Sequence, residues 1–273
     1  MEQSIGFIGA GNMASSIIGG LVKSGYDADK IWISDPSVEQ TAHLERLHHI
    51  QVSKDNIELV KAVDIIVLAV KPQVMNNICE EIANVCNKHT LFISIAAGIE
   101  TTTISQWLNQ TNAAIIRCMP NTPALLNYSA TGIYANANVI DKQKDSAEQI
   151  MRSIGITQWV DSEILIDSIT AVSGSGPAYF FLLMEAMMES GVKLGLTPAM
   201  SQALVKQTAL GAAMMYDQNS ISAKELRKNV TSPGGTTEQA IKSLQANGFE
   251  TIVEQALTKA KERARELSII LSK

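Results

Sequence analysis

The feature that most constrains this chain is the glycine-rich stretch at residues 5–14, IGFIGAGNMA. A short apolar run leads into Gly9 and Gly11, and helix-like spacing follows, which is the context in which G-x-G-x-x-G/A marks a dinucleotide site. Gly9 permits a tight strand-to-helix turn, Gly11 lets a pyrophosphate approach the backbone, and Ala14 lets the helix pack closely on the strand. The alternative is a glycine turn that binds nothing.

The helix that follows the glycines should hold the cofactor phosphates. The first N–H groups of a helix have no partner within it, and the positive end of the helix dipole lies there. We therefore expect cofactor contacts from four residues of this stretch: Gly9, Gly11, Asn12 and Met13.

Length and composition describe a folded protein with room for two domains. The 273 residues are 46% hydrophobic and 18% charged, with a net charge of −5 and no long basic run. These values exclude a disordered chain and give no sign of nucleic acid or an anionic membrane as a partner. No apolar run approaches the roughly 18 residues of a membrane span, and the first residues do not resemble a signal peptide. Three cysteines outside any C-x-x-C pattern fit a reducing compartment, so we expect a cytoplasmic protein with structural thiols.

The first half of the chain alternates strand-like and helix-like segments. Apolar runs separated by amphipathic segments and short loops predict strands at residues 31–33, 65–70, 91–95 and 114–119. This β-α-β repetition predicts a doubly wound, mostly parallel sheet that helices cover on both faces. Two later strand-like segments, 131–135 and 157–160, extend the same sheet.

From about residue 161 the sequence is almost wholly helical. Residues 177–188 are apolar nearly all round, which indicates burial rather than a surface stripe. Tight helix packing and an intertwined dimer both explain this pattern, and we favour the dimer. The chain is therefore predicted to be a Rossmann-type α/β domain, residues 1–163, followed by an all-helical dimerisation and substrate domain, residues 164–273.

The ends of the predicted strands supply further cofactor contacts. Asp35 ends the second strand, where an acid accepts hydrogen bonds from the adenosine ribose hydroxyls and repels a 2′-phosphate. No Lys or Arg lies among residues 34–39 to offset that repulsion, so NADH is favoured over NADPH. Alternatively, Asp35 is a turn or cap residue before Pro36.

Ligands of open α/β sheets lie beyond the carboxyl ends of the strands. The same reasoning therefore assigns the turns after the fourth and fifth strands to the cofactor, with the backbone of the lysine favoured over its side chain. The residues concerned are Ala69, Val70, Lys71, Pro72 and Ala97.

The histidines and the metal-ligand patterns restrict the chemistry. All four histidines lie in predicted peripheral segments, and no metal-binding pattern occurs, so we expect no metal. A ketone that accepts a hydride needs a positioned proton donor, whereas a cationic imine already carries its positive charge. The absence of a placed histidine therefore favours an imine substrate.

Two loops rich in small residues interrupt the helical half. At residues 230–238, the N–H groups of Gly235, Thr236 and Thr237 at a helix start form a nest for an anion, most simply a carboxylate. An ordinary helix cap explains this loop equally well. Residues 173–179, SGSGPAY, are predicted as a second loop that ends at a helix start, or as a glycine-rich domain junction.

With both loops considered, the chain resembles the pyrroline-5-carboxylate reductases over essentially its whole length. Six segments carry the resemblance, of which the last two are the most specific: GFIGAGNM at 6–13, AVKP at 69–72, SIAAG at 94–98, RCMPNTP at 117–123, SGSGPAY at 173–179 and SPGGTT at 232–237.

The resemblance implies a Rossmann domain, a helical domain that builds a homodimer, and in this family often a decamer. It implies reduction of 1-pyrroline-5-carboxylate to L-proline, the last step of proline synthesis, by hydride transfer from NADPH or NADH to the imine carbon. Many members use NADPH and have no acid at position 35, so Asp35 is a departure.

The resemblance also implies residue roles. The substrate is expected at Glu163, Ser232, Gly235, Thr236 and Thr237, and Thr170 lines the pocket as a candidate catalytic hydroxyl. Additional cofactor contacts are expected at Ser34, Asn56 and Asn229. Two rival functions remain: a β-hydroxyacid dehydrogenase, for which Lys193 is the nearest catalytic lysine, and a sensor that binds NAD(P) without turnover.

Overall fold

The computed structural model describes residues 3–272, which form two compact units. The first unit contains residues 3–175 together with 259–272, and the second is Gly176–Thr258. Residues 164–175 and the last helical turns of the chain therefore pack with the sheet. The chain therefore first passes from one compact unit to the other after Ser175, whereas the sequence places the domain boundary between residues 163 and 164. That domain boundary stays a prediction.

The first unit is built on an eight-stranded sheet with the strand order β3-β2-β1-β4-β5-β6-β7-β8. Strands β1 to β6 are parallel, β7 is antiparallel to β6, and β8 is parallel to β7. The strands are β1 (Ile5–Ile8), β2 (Ile31–Ser34), β3 (Gln51–Val52), β4 (Ile65–Leu68), β5 (Leu91–Ser94), β6 (Ala114–Met119), β7 (Ser129–Ala135) and β8 (Gly155–Trp159). The predicted mostly parallel sheet and its two-strand extension are confirmed.

Helices cover both faces of this sheet because its central strands are apolar on both sides. In β4, Ile65 and Val67 belong to one buried cluster, whereas Ile66 and Leu68 belong to another. This alternation places successive side chains on opposite faces. The covering helices are α1 (Asn12–Lys23), α2 (Val38–His48), α3 (Asn56–Ala62), α4 (Met75–Ile82), α5 (Thr101–Trp107), α6 (Asp141–Arg152) and α7 (Leu165–Ile169).

Some predicted elements are longer than the observed ones. The strand expected at 65–70 ends at Leu68, and the strand expected at 91–95 ends at Ser94. Ala14 is 1% exposed and packs in the apolar cluster beside β1, which confirms the expected close approach of α1 to the strand.

The loop predicted at residues 173–179 is wrong, whereas the alternative of a glycine-rich domain junction agrees with the division of the two units between Ser175 and Gly176. Thr170–Gly174 is a π-helical turn in which the Ser175 N–H donates to the Thr170 carbonyl at 2.8 Å, and the next helix begins at Gly176. A Cβ on Gly174 would lie 2.7 Å from Cε of Met119. Close packing, rather than a loop conformation, therefore accounts for a glycine at this position.

The second unit is helical, as expected. Its helices are α8 (Gly176–Lys193), α9 (Pro198–Asp217), α10 (Ala223–Asn229), α11 (Thr236–Ala246) and the first part of α12 (Phe249–Leu271). The single chain does not bury residues 177–188 as the sequence predicts, since Phe180, Phe181 and Leu182 are 65%, 63% and 66% exposed. Packing within one chain therefore does not explain the apolar surface of α8. No helix within residues 3–272 is long and apolar enough to cross a membrane.

Candidate functional site

The glycine loop lies where β1 is flanked by β2 and β4. Gly9 has φ +105°, its N–H donates to the Ser34 carbonyl at 2.8 Å, and a Cβ there would lie 2.7 Å from the Ala69 carbonyl oxygen. Strand order reverses at β1 and β4, and open α/β sheets bind ligands at this switch point. Gly9 therefore allows the backbone to turn at the edge of the sheet where a ligand is expected.

Gly11 serves a different purpose from Gly9. It is the exposed N-cap of the 12-residue helix α1, has φ −72°, and has no side chain that could cap the helix. No atom of residues 3–272 outside its chain neighbours lies within 4 Å of the position that a Cβ would take. The first N–H groups of α1, including those of Asn12 and Met13, thus start a helix beside open space, and this donor set fits dinucleotide phosphates.

Asp35 follows β2 and faces the glycine loop. Its Oδ2 accepts a hydrogen bond from the Ala10 N–H at 2.8 Å, and its Oδ1 accepts one from the Ser37 N–H at 2.8 Å. Asp35 therefore stabilises the turn that contains Pro36, which is the alternative role that the sequence left open. Each carboxylate oxygen has a further lone pair, so the same side chain can also accept a hydrogen bond from a ribose hydroxyl.

The structure brings Ser34 and Asn56 together, both predicted at the adenosine end of the cofactor. The Ser34 hydroxyl donates to Asn56 Oδ1 at 2.9 Å, and the Asn56 amide donates to Glu81 Oε2 at 2.8 Å. Ser34 is the last residue of β2, and Asn56 is the first residue of α3. The pair therefore lies near the carboxyl edge of the sheet, on the same strand end as Asp35.

The predicted contacts beyond β4 and β5 also lie at this edge. Ala69, Val70, Pro72 and Ala97 are half-buried, whereas Lys71 is exposed, as expected if its backbone rather than its side chain faces the site. The Ala69 N–H donates to the Ile8 carbonyl at 2.9 Å, so the turn after β4 is joined to β1.

The first unit contains a buried charge cluster that the sequence reasoning missed. Arg117 on β6 is 2% exposed, and its Nη1 lies 3.3 Å from Glu163 Oε1 while its Nη2 lies 3.6 Å from Asp167 Oδ1. The available signal was a single charge within the buried apolar strand AIIRCM, because a buried charge requires partners.

The carboxylate of Glu163, predicted to contact substrate, is already engaged. Its Oε1 accepts a hydrogen bond from the Thr101 N–H at 2.8 Å, and its Oε2 accepts one from the Thr101 hydroxyl at 2.8 Å. Thr101 is the first residue of α5, so Glu163 caps that helix. Burial raises the pKa of the neighbouring Asp167, although the positive charge of Arg117 acts in the opposite direction. The pKa of Tyr134 is also raised, mainly by burial and further by the charge of Glu163.

Thr170, the candidate catalytic hydroxyl, starts the π-helical turn and is half-buried. Its hydroxyl donates to the Ile166 carbonyl at 2.8 Å. Asn121, which is 8% exposed, donates to the Ser173 carbonyl at 2.9 Å and so supports the same turn. Single π-turns occur frequently at functional sites, which makes this turn a candidate.

The cysteines and histidines give no alternative chemistry. Burial raises the pKa of the Cys79 and Cys86 thiols to about 12 and raises that of Cys118, which disfavours the thiolate form that acts as a nucleophile. Across residues 3–272, no three His, Cys, Asp or Glu side chains are grouped closely enough to hold a metal ion.

In the second unit, the predicted anion nest lies between α10 and α11. The Gly235 N–H donates to the Ser232 carbonyl at 3.0 Å, and the Gly234 N–H donates to Glu238 Oε2 at 2.9 Å. The latter bond is the main cause of a lowered Glu238 pKa.

The structure contains the cap that was the alternative interpretation, while the anion nest stays a prediction that depends on Thr236 and Thr237, because the Gly235 N–H is engaged with Ser232. Glu238 acts as a cap, while Gly235 is an N-cap without a side chain, and Thr236 and Thr237 start α11 with exposed side chains. Asn229 is the last residue of α10.

Known proteins match the chain over nearly its full length. A family model described as pyrroline-5-carboxylate reductase dimerisation matches residues 163–267, and one described as NADP oxidoreductase, coenzyme F420-dependent, matches residues 4–98. A pyrroline-5-carboxylate reductase from Pseudomonas aeruginosa is 52% identical over 264 residues, which is 97% of this chain and 96% of the relative.

Solved structures agree with these matches. A pyrroline-5-carboxylate reductase from Coxiella burnetii superposes with a TM-score of 0.93 at 44% identity, covering 97% of this chain and 98% of the other. The pyrroline carboxylate reductase of Plasmodium falciparum, solved with NADP bound, has a TM-score of 0.86 at 30% identity, with 98% of each chain covered.

Proposed function

Because the chain belongs to the pyrroline-5-carboxylate reductase family and reduces 1-pyrroline-5-carboxylate to L-proline with NAD(P)H, we propose which of its residues hold cofactor and substrate. The observation that carries the proposal is a pair of helices, α1 and α11, each of which starts at a glycine N-cap without a side chain. Each start presents backbone N–H groups to an anion. We assign the start of α1 to the cofactor phosphates and the start of α11 to the substrate carboxylate.

Most of the cofactor residues follow the carboxyl ends of β1, β2, β4 and β5 or start the helices α1 and α3, whereas Asn229 is the last residue of α10. The bound nicotinamide supplies the hydride that adds to the imine carbon. The proposed contacts are Gly9, Gly11, Asn12, Met13, Ser34, Asp35, Asn56, Ala69, Val70, Lys71, Pro72, Ala97 and Asn229.

The substrate residues position a small ring and need little further chemistry. Ser232, Gly235, Thr236 and Thr237 surround the carboxylate at the start of α11. The N–H and hydroxyl groups of the two threonines and the Ser232 hydroxyl anchor it, since the Gly235 N–H already donates to the Ser232 carbonyl. The ring nitrogen of the cationic imine already carries its charge, so the main contribution of the protein is to orient the ring for attack. Thr170 supplies a hydroxyl to the pocket, and Glu163 is placed with the substrate residues by family resemblance alone.

The carboxylate assignment is tested with Thr237→Ala. Loss of the hydroxyl should raise KM for pyrroline-5-carboxylate about tenfold or more, while the Kd of NADPH, measured by fluorescence titration, stays unchanged. Thr231→Ala is the matched control, since the Thr231 hydroxyl donates within its own chain segment to the Arg227 carbonyl. Unchanged KM in Thr237→Ala would remove the hydroxyl from the site.

We propose that NADH is the preferred cofactor of the two. Asp35 is held facing the glycine loop by the Ala10 N–H, at the position where an acid repels a 2′-phosphate. The NADP in the Plasmodium falciparum relative supports the opposite preference.

Asp35→Asn keeps one oxygen for the Ala10 N–H, gives up the acceptor of the Ser37 N–H and removes the charge. Its ratio of kcat/KM for NADPH to that for NADH should rise about tenfold, whereas Glu39→Gln, an exposed charge change on α2, should leave the ratio unchanged. A wild-type enzyme that prefers NADPH, with no change in Asp35→Asn, would contradict the proposal.

The remaining proposals concern assembly and location. We assign residues 1–163 to the dinucleotide-binding domain and residues 164–273 to a dimerisation and substrate domain, which pairs two chains in a homodimer. The apolar side chains exposed on α8 and the dimerisation description of the matching family model support this pairing. The family resemblance supports further assembly into a decamer. The cysteine pattern, which fits a reducing compartment, supports a cytoplasmic location.

A further inference from the structure

The buried cluster around Arg117 joins parts of the first unit that are distant in sequence. The guanidinium on β6 contacts Glu163, which precedes α7, and Asp167, which lies on α7. Glu163 in turn holds both the N–H and the hydroxyl of Thr101 at 2.8 Å. The cluster therefore fastens the start of α5 to the segment that leads into α7.

Both fastened segments lead directly to proposed site residues. Thr101 follows the turn after β5 that contains Ala97, and α7 runs without interruption into the π-helical turn that starts at Thr170. A substrate ring and a nicotinamide must be aligned to within a fraction of an ångström, because a misplacement of about 1 Å can reduce a rate about 100-fold. A rigid link between these segments thus bears on alignment rather than on affinity.

We propose that Glu163 is a positioning residue, which aligns the Ala97 turn with the Thr170 turn by capping α5 at Thr101 while Arg117 holds its carboxylate. The inference rests on the proposed placement of Ala97 and Thr170 in the site. It differs from the substrate contact expected by resemblance, since both oxygens of Glu163 already accept hydrogen bonds from Thr101.

Steady-state kinetics of Glu163→Gln and Thr101→Val separate the two roles. Positioning predicts that kcat falls about tenfold in each variant, while KM for pyrroline-5-carboxylate and the fluorescence Kd of the cofactor stay within about twofold. The double variant should be no slower than Glu163→Gln alone, because both changes break one interaction. Thr101→Ser, which keeps the hydroxyl, should recover most of the kcat lost in Thr101→Val.

Glu100→Gln is the matched control, because Glu100 is the exposed neighbour of Thr101 and its side chain makes no capping bond. It should leave kcat and both affinities unchanged. A raised KM with unchanged kcat in Glu163→Gln would assign this carboxylate to the substrate and overturn the inference. Additive losses in the double variant would overturn it as well.

Thr170→Val, measured in parallel, distinguishes failure of the inference from failure of the site assignment. Normal kinetics in Thr170→Val would contradict the proposed role of its hydroxyl. A slow Thr170→Val beside a normal Glu163→Gln would contradict the positioning role alone.

Discussion

At the scale of single residues, the two glycines of the fingerprint are required for different physical reasons. Gly9 adopts φ +105° and lies against the Ala69 carbonyl, so its lack of a side chain is a requirement of folding. Gly11 has an ordinary φ of −72° and open space above it, so the fold itself places no such demand on it. A ligand that approaches the helix start explains why that space is kept clear.

Alanine substitutions at these positions should both weaken cofactor binding but should differ in their effect on stability. Gly9→Ala should lower the free energy of unfolding by about 1–3 kcal/mol through backbone strain, and it should also weaken cofactor binding. Gly11→Ala should lower the free energy of unfolding by about 0.5–1 kcal/mol, because alanine is a poorer N-cap than glycine, but should weaken cofactor binding about tenfold or more. Denaturant unfolding and fluorescence titration of NADH measure the two quantities. A Gly11→Ala variant that binds NADH normally would contradict the assignment.

At the scale of elements, β6 and α7 are joined through buried charges rather than through apolar packing alone. Asp167 on α7 has its pKa raised above the ordinary 3.8, first by burial and with a further contribution from Glu163, while Arg117, Arg265 and Lys261 oppose the shift. The folded protein therefore holds the Asp167 proton more tightly than the unfolded chain does. The stability gained from this proton is complete below the ordinary pKa and is lost as pH rises through the raised value.

Asp167→Asn removes this titration and should flatten the pH dependence of stability. The unfolding free energy of the variant, relative to wild type, should increase from pH 4 to pH 7. This difference in unfolding free energy can change by at most about 1.4 kcal/mol for each pH unit over which the folded and unfolded wild-type protein differ by one bound proton. Urea unfolding at several pH values measures it, with the exposed Asp161→Asn as the control. Parallel pH profiles for wild type and Asp167→Asn would show that Asp167 titrates normally.

The elements also show what could be predicted from the sequence and why. Continuous apolar strands such as Ile65–Leu68 and the short loops between them fix a parallel sheet, because periodicity and loop length are local properties. The SGSGPAY segment was misread, since glycines that permit close packing against Met119 look the same in sequence as glycines that permit a turn.

The sequence could place candidate site residues at strand ends and helix starts, because those positions follow from local patterns, and their roles stay predictions. The contact of Glu163 with Thr101 and Arg117 was not, because those residues are far apart in the chain and only the folded sheet brings them together.

At the scale of the whole molecule, the helical unit exposes a large apolar surface in the single chain. Phe180, Phe181 and Leu182 are each more than 60% exposed on α8, and further leucine and methionine side chains are exposed on α9. Burial of such surface contributes roughly 25 cal/mol for each Å² removed from water. Obligate homodimers bury surfaces of this apolar character, so self-association through this unit is the expected solution.

Light scattering coupled to size-exclusion chromatography should give at least twice the 29.5 kDa chain mass. Phe181→Asp should shift the protein toward monomer and lower its thermal midpoint, because a charge would be placed in an apolar interface. Val38→Asp, at a position 78% exposed on α2, is the matched control and should leave the mass unchanged. A wild-type monomer at micromolar concentration would contradict the homodimer.

The first unit is discontinuous in sequence, since residues 259–272 complete a structure that begins at residue 3. A Cβ on Gly98 would lie 3.2 Å from Leu267, and the Thr103 hydroxyl donates to that of Ser272 at 3.1 Å. A nascent chain synthesised only as far as Thr258 therefore lacks the helical segment that packs against Gly98 and Thr103 in the first unit. The first unit can therefore be completed only after the helical insert has been synthesised, which delays its folding until residues 259–272 are available.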